Sequence, residues 1–245
     1  MENIGTQFIE FTKYPKMFGA SDQSKGMAQP LLELKVSAKK EFPLPPPDKT
    51  KLLEISLKNA IAHRTSCRDF SRHGITISEL SYLLWSTQGV KEIMGGNYAT
   101  IRTVPSAGAR HAIETFVTIN NVEGLPKGIY KYGAVRRSLS LISDDEDANE
   151  RLYDICLQQE MVKQASAVFI WVAVPYRMTW RYGVRGYRYI LLDAGHVCQN
   201  LYLSAQDINC GVCAIGAFDD DQMDDLLNLE KGTQFSIYSA VVGKT

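Results

Sequence analysis

The chain has 245 residues, with 27 basic and 27 acidic side chains and a formal net charge of zero. It therefore lacks the positive field that non-specific binding to nucleic acid or to an anionic membrane surface requires. The length suffices for one large domain that buries its own core without disulfides or a structural metal. The expected partners are small molecules or protein, with no nucleic acid and no membrane. The opening residues MENIGTQFIEF contain no basic stretch followed by an apolar run, and no segment reaches the about 18 to 20 apolar residues of a membrane span, so a cytoplasmic location is expected.

Residues 1–48 read as an N-terminal arm. They are polar, with Gly, Ser and Gln around Gly19–Gln29, and end in the proline run Phe42–Asp48, which is extended and cannot enter a helix. Phe8, Phe11, Tyr14 and Phe18 favour docking of this arm onto a surface. A single domain is expected over 49–245. Asp48 is a candidate N-cap for a first helix carrying Leu52, Leu53, Leu57, Ala60 and Ile61. Thr76-Ile77-Ser78-Glu79 is a capping-box pattern ahead of Leu80, Leu83, Leu84 and Trp85, a second short helix. Phe116–Ile119 and Ile129–Tyr132 read as paired strands around a long turn. Asp147–Ala165 reads as one surface helix, and Ala167–Val174 as a strand covered on both faces. Arg188–Asp207 is apolar around most of its circumference, which predicts a fully buried helix. Gly211–Ala217 is a further apolar run, Asp219 caps an acidic-fronted helix to Leu229, and Ser236–Val242 closes the chain as a strand. Helices and strands are mixed without regular β-α-β alternation, which argues for an α+β fold.

The five cysteines, Cys67, Cys156, Cys198, Cys210 and Cys213, are odd in number and lack the spacing of a disulfide framework, so reduced thiols are expected. Cys210 and Cys213 form one C-x-x-C. No pair among His63, His73, His111 and His196 completes a tetrahedral zinc site with them, so no metal is expected and buried small residues are the preferred reading. Dinucleotide-binding, phosphate-loop, zinc-protease and nucleophile-elbow signatures are absent. What remains is Arg64-Thr65-Ser66-Cys67-Arg68-Asp69-Phe70. If extended, period two sends Arg64, Ser66 and Arg68 to one side, where two guanidiniums and a hydroxyl could grip a phosphate or the polar edge of a flavin. The residues alone fit a solvated basic turn equally well. Val104-Pro105-Ser106-Ala107-Gly108-Ala109-Arg110 leaves backbone bare enough to touch a planar ligand, although an ordinary loop explains it more simply. Ile215-Gly216-Ala217 fits ligand contact or core packing. Trp180-Arg181-Tyr182-Gly183-Val184-Arg185 fits cation–π surface packing or an active-site rim.

Taken in order, these segments resemble the nitroreductase superfamily, and within it the SagB-type dehydrogenase branch. The resemblance runs from Phe42 to the C-terminus through RTSCRDF, ELSYLLWSTQGV, PSAGARH, GIYKY, LLDAGHVCQNLYL and AIGAFDD, and FIEFTKYP near the start looks like the branch's leader segment. It implies an α+β nitroreductase-like fold, a central antiparallel or mixed sheet flanked by helices, in an interlocked homodimer with FMN at the interface. It further implies that Arg64, Thr65, Ser66 and Arg68 hold the phosphate and the pyrimidine edge of FMN from one subunit. Pro105, Ser106, Ala107 and Gly108 would contact the ring from the other, Ile215, Gly216 and Ala217 would line N5, and Lys244 would approach the phosphate. The implied activity is NAD(P)H-driven reduction of nitroaromatic or quinone-type acceptors. The alternatives are azoline dehydrogenation of a modified peptide and a flavin-binding module without turnover. Thr65 stands where the motif has a second arginine, one cation fewer for the phosphate. Ala112 stands where the branch has proline. Arg181-Tyr182 stands where azoline-oxidising members carry Lys-Tyr; arginine cannot cycle its proton near neutral pH, which leaves Tyr182 as the proton-carrying candidate of the catalytic pair.

Overall fold

A computed structural model of the chain describes residues 3–16 and 21–245; the expectation for Phe18 lies outside them. In chain order the elements are α1 (Ile4–Phe11), β1 (Lys40–Pro43), α2 (Leu57–His63), β2 (Ile75–Thr76), α3 (Ile77–Gln88), β3 (Val90–Met94), β4 (Ala99–Arg102), β5 (Ile113–Ile119), β6 (Val122–Glu123), β7 (Gly128–Gly133), β8 (Ser138–Ser143), α4 (Ala148–Ile155), α5 (Met161–Gln164), β9 (Ala167–Ala173), α6 (Pro175–Tyr182), α7 (Gly186–Gln206), β10 (Cys210–Ile215), α8 (Asp220–Leu226) and β11 (Phe235–Lys244). Seven strands form one antiparallel sheet in the order β1-β8-β7-β5-β9-β11-β10. The β2–β6 and β3–β4 pairs lie apart from it.

Strand β9 explains the layering. Ala167, Phe169, Trp171 and Ala173 face the cluster built on α3 and α7, while Val168, Ile170 and Val172 face the cluster built on α4, α5 and α8. Both faces of the sheet are therefore covered, and each large apolar side chain so buried contributes about 1.5–3 kcal/mol. The α+β class follows, and so does the expected strand pair, now β5 and β7 with Phe116 opposite Lys131 and Ile119 opposite Gly128. The capping box is present in full: Thr76 Oγ1 accepts from the Glu79 amide, and Glu79 Oε2 accepts from the Thr76 amide at 2.8 Å.

Three expectations need correction. The first body helix does not begin at Asp48; Pro47–Lys49 is a single 3-10 turn, and α2 starts at Leu57 behind the N-cap Ser56. The intervening residues are drawn out by Asp207, whose carbonyl accepts from the Leu53 amide and whose Oδ1 accepts from the Ile55 amide. The span 147–165 is two helices, because Leu157 and Gln158 adopt positive φ (55° and 59°) between α4 and α5. Helix α7 is not buried all round. Ile190, Ala194, Val197, Leu201 and Ala205 face the core, but Leu191 and Leu192 are 54% and 57% exposed.

Residues 21–43 of the arm lie against the domain. Lys40–Pro43 forms the edge strand β1, the Gln23 amide donates to the Trp180 carbonyl at 2.9 Å, and Trp180 Nε1 donates to the Met27 carbonyl at 3.0 Å. Further along, the arm is tied to a buried ionic knot. Glu114 accepts from Arg177 (2.5 Å), Lys131 (2.9 Å) and the Leu34 amide (2.6 Å), while Arg177 and Arg102 donate to the Leu31 and Leu32 carbonyls.

Candidate active site

Downstream of α2 the chain runs extended. The Cys67 amide donates to the Val212 carbonyl at 2.9 Å, and Ser66 bridges Val212 in parallel. Period two then operates as the sequence predicts. The Arg64 guanidinium lies over the Tyr202 ring at 5.3 Å, and Ser66 Oγ meets the Tyr202 hydroxyl at 3.1 Å. Tyr202 already accepts from the Ala214 amide at 2.8 Å. Its own proton can therefore go to Ser66, which leaves the serine hydroxyl free to donate outward. Arg68 Nη1 makes only a long contact, 3.4 Å, to the Ser66 carbonyl. Among the described residues neither Arg64 nor Arg68 has a carboxylate partner. Thr65 sits exposed between them.

The β10 ladder ends at Ile215 opposite Ser239, so Gly216 and Ala217 emerge exposed from the same strand that supports Ser66. A Cβ on Gly216 would come no nearer than 4.0 Å to another residue. Lys244 is differently engaged: its Nζ donates to Glu79 Oε1 (2.5 Å) and to the Ile208 carbonyl (2.7 Å), which commits its donors within the chain.

Pro105–Gly108 gathers elsewhere, against α6 and the N-terminal half of α7. Pro105 and Gly108 are exposed. Gly108, Ala109 and His111 all have positive φ (57°, 54° and 44°), a strained run in which two members are not glycine. A Cβ at Gly108 would collide with the Tyr182 hydroxyl and crowd Arg181 Nε, so the absence of a side chain there is what admits both. Tyr182 packs edge-on to Tyr189 at 5.0 Å. Ser106 Oγ accepts from the His111 amide at 2.9 Å. Beneath the loop, burial pushes the Asp193 carboxyl above its ordinary range against the pull of Ser106 and the Ala107 amide, and its Oδ2 has no hydrogen-bond partner. Burial, with Arg102 adding to it, holds His111 neutral, its pKa pushed down to about 3.

The structure thus brings Arg64 and Ser66 together at Tyr202 with Arg68 beside Ser66, all next to the strand β10 that runs on to Ile215–Ala217, and gathers Ser106–Gly108, Arg181 and Tyr182 in another place. Tyr202 and Asp193, their respective supports, are nine residues apart on α7, about 13 Å along its axis. On the N-terminal side of Asp193 the helix exposes Tyr187, Leu191 and Leu192. A cavity of about 810 Å³ lies away from the first group, between arm residues 29–36 and the β3–β4 tip. The donor chemistry marks the site better than the cavity does, because a half-site open to solvent encloses no volume. Tyr202, Asp193 and Tyr98 escaped sequence reasoning; a polar residue on the inward face of a largely apolar helix is the signal that would have found the first two. Cys210 and Cys213 are buried with raised thiol pKa values, in keeping with the reading as small core residues.

The layering, one antiparallel sheet of seven strands covered by helices on both faces, defines an α+β protein. The chain belongs to the nitroreductase family, whose model matches residues 61–244. It is 36% identical over 179 residues to a Methanocaldococcus jannaschii protein with the provisional name nitroreductase MJ1384, covering 73% of this chain and 87% of that one. It is 29% identical to the trifolitoxin-processing protein TfxB of Rhizobium leguminosarum over 52% of this chain and 35% of that protein. Among solved structures, a provisionally named nitroreductase from Anabaena variabilis superposes with a TM-score of 0.65 at 31% identity, over 77% of this chain and 38% of its own. The chain therefore spans well under half the length of two of these relatives. A chain of the Escherichia coli microcin synthetase McbBCD complex with truncated pro-MccB17 bound shares the fold over 99% of this chain and 92% of its own (TM-score 0.62, 18% identity). A Desulfovibrio desulfuricans relative solved in complex with FMN does so over 78% and 86% (TM-score 0.54, 16% identity). No described helix is long and apolar enough to cross a membrane.

Proposed function

We propose that the chain is an FMN-dependent oxidoreductase that works as a homodimer, drawing electrons from NAD(P)H and delivering them to nitroaromatic, quinone-type or related small acceptors. The observation that carries the reading is the group Arg64, Ser66 and Arg68 alongside the strand that leads to Gly216: two guanidiniums without a carboxylate partner among the described residues and a hydroxyl with a free proton fit a phosphate and the polar edge of a flavin. FMN, when bound, supplies the capacity to take up and release a hydride or electrons. Arg64 and Arg68 bind and neutralise its anionic groups, and a cation at the pyrimidine edge favours negative charge on the reduced ring. The Gly216 amide is the proposed partner of N5, with Ile215 and Ala217 as its flanking contacts. Pro105, Ser106, Ala107 and Gly108 supply a flat wall with Tyr182 and Arg181 beside it. Lys244 stays outside the set because Glu79 holds it.

The dimer is supported by the separation of the two groups along α7 and by the exposed apolar face on the N-terminal part of that helix, since two copies can offer each ligand one group apiece. A cytoplasmic location remains part of the proposal. The test is direct: the purified protein should be yellow, release FMN on denaturation, sediment as a dimer and bleach during anaerobic titration with NADPH or NADH. Colourless protein that takes up no added FMN ends this reading.

A second reading is favoured by the similarity to TfxB and the McbBCD chain, whose names concern peptide processing. Here the enzyme oxidises an azoline in a modified peptide and returns the electrons to oxygen, with Tyr182 carrying the proton. Oxygen uptake with azoline peptides, lost in Tyr182→Phe, supports it; silence across a peptide panel removes it.

A further inference from the structure

The half-site around Gly108 carries two guanidiniums that no carboxylate among the described residues pairs with. Arg181 comes from the last turn of α6 and Arg110 from the strained loop, and among the described residues neither forms a salt bridge. Arg110 is buried and its donors are committed. Its Nε donates to the Gly108 carbonyl at 3.1 Å and its Nη2 to the Tyr98 carbonyl at 2.9 Å, while its guanidinium stacks on Tyr98 and Trp180. Arg181 is half-exposed and far less occupied, with one long contact of 3.5 Å to the Tyr98 hydroxyl and a stack on Tyr182. The two guanidiniums sense each other: burial lowers the Arg110 pKa, and the charge of Arg181 adds to that. Asp193 lies beneath the same loop, against Ser106 and the Ala107 amide, and forms no salt bridge with either guanidinium.

A helix dipole accounts for one arginine in the last turn of α6. It does not account for a second, buried guanidinium at the same spot without a counterion, which is costly to maintain. Nor does it account for the way Arg181 is positioned. Gln23 Nε2 donates to the Tyr98 hydroxyl at 2.8 Å, and the Gln23 amide is fixed on the Trp180 carbonyl, so arm, hairpin and helix converge on the group that touches Arg181.

We propose that Arg181, backed by the field of Arg110, is a subsite for an anionic group, a carboxylate or phosphate, carried by a molecule that exchanges electrons at this site. The inference rests on the reading of the Gly108 loop as a flavin half-site. The planar fork of Arg181 presents two parallel donors to a carboxylate or phosphate. It sits beside Gly108, where the loop is bare, and next to the Tyr182 hydroxyl. The anion has two possible sources, an acidic acceptor or the additional phosphate that distinguishes NADPH from NADH.

Steady-state kinetics on the holoprotein separate them. One pair of reactions compares para-nitrobenzoate with para-nitrobenzamide at fixed donor, the other NADPH with NADH at fixed acceptor, in wild type, Arg181→Gln and Arg181→Lys. The acidic member of one pair should have the higher kcat/KM by about tenfold, the scale of a charge-assisted contact. Arg181→Gln should bring the two members of that pair level, Arg181→Lys should keep part of the preference, and added salt should weaken it. Equal kcat/KM within both pairs in wild type, or a preference that survives Arg181→Gln, overturns the proposal. Calorimetric binding of the same four compounds tests the subsite without turnover. Tighter binding of an acidic member, lost in Arg181→Gln, supports the subsite even in colourless protein, and equal binding within both pairs refutes it. Loss of colour itself counts against the flavin reading alone.

Discussion

Replacing Glu114 by glutamine removes the negative charge at the centre of the buried knot while preserving its volume. Glu114, Arg177 and Lys131 are 5%, 3% and 2% exposed, and the carboxylate faces both cations at 2.5 and 2.9 Å. Arg102 lies in the same field; burial lowers its pKa to about 10, and the charge of Glu114 opposes that shift. Glutamine leaves two buried cations facing each other without a countercharge, and losing one partner of a buried pair costs about 3–5 kcal/mol. With a urea m-value of about 2–3 kcal/mol per molar, the unfolding midpoint should fall by roughly 1–2 M. Fluorescence of Trp171 and Trp180, both buried, reports it. The pH dependence gives a second readout. Burial alone would raise the Glu114 pKa, but Arg177 and then Lys131 overcome it and hold the group at about 2, below its ordinary 4.5. A folded-state pKa below the unfolded one means that the stabilisation is complete above the unfolded value and is lost as pH falls from 4.5 towards 2. The wild-type acid limb in that window should flatten in Glu114→Gln. A midpoint within error of wild type, with the acid limb retained, would refute the electrostatic account of the knot.

Arg64→Ala and Arg68→Ala should each weaken FMN binding by about 1.5–3 kcal/mol, roughly ten- to more than a hundredfold in Kd, read from quenching of flavin fluorescence; unchanged affinity in both variants removes the proposed phosphate site. Glutamate at both Leu191 and Leu192, which are exposed in one chain, should shift sedimentation from dimer to monomer and lower FMN affinity with little loss of monomer folding. A dimer that survives both changes places the interface elsewhere. Burial raises the thiol pKa of Cys156, Cys198 and Cys210 to about 12, so these should stay unreactive towards a thiol reagent at neutral pH until the chain unfolds, while half-buried Cys67 reacts first. Prompt labelling of all five in native protein would contradict their placement.

Local chemistry is readable wherever it alone decides the outcome. The Thr76–Glu79 capping box and the uninterrupted apolar run of β9 need no partner to be recognised, and both stand in the structure as the sequence predicts. The shared side of Arg64 and Ser66, both against Tyr202, belongs to the same class, because period two follows from extension itself. The start of α2 is not readable, since it depends on Asp207, some 150 residues away, drawing Leu53 and Ile55 out of helical shape. The break after α4 is hidden because the positive φ angles fall on Leu157 and Gln158 rather than on glycine. The Glu114 knot is hidden too: Leu31, Leu34, Arg102, Lys131 and Arg177 come from separate stretches of chain. Helix α7 misleads in another way. Its apolar circumference is real, but the pattern does not say which chain covers each side, and one chain's core takes only one of them.

In the proposed dimer that unused side links association to ligand binding. The inward residues Ile190, Ala194, Val197 and Leu201 lock α7 against the sheet, so the spacing between Asp193 near its middle and Tyr202 near its C-terminal end is fixed by a rigid rod. In the proposed dimer each ligand is held by the first group of one copy and the second group of its partner. A ligand that binds only the paired form stabilises it by RT ln(1 + [L]/Kd), about 2.7 kcal/mol when the ligand is at a hundred times its Kd. Cofactor occupancy and dimer affinity then rise and fall together. On that proposal the exposed Leu191 and Leu192 belong to the same thermodynamic unit as Arg64 and Gly108, although neither leucine is placed in contact with the cofactor.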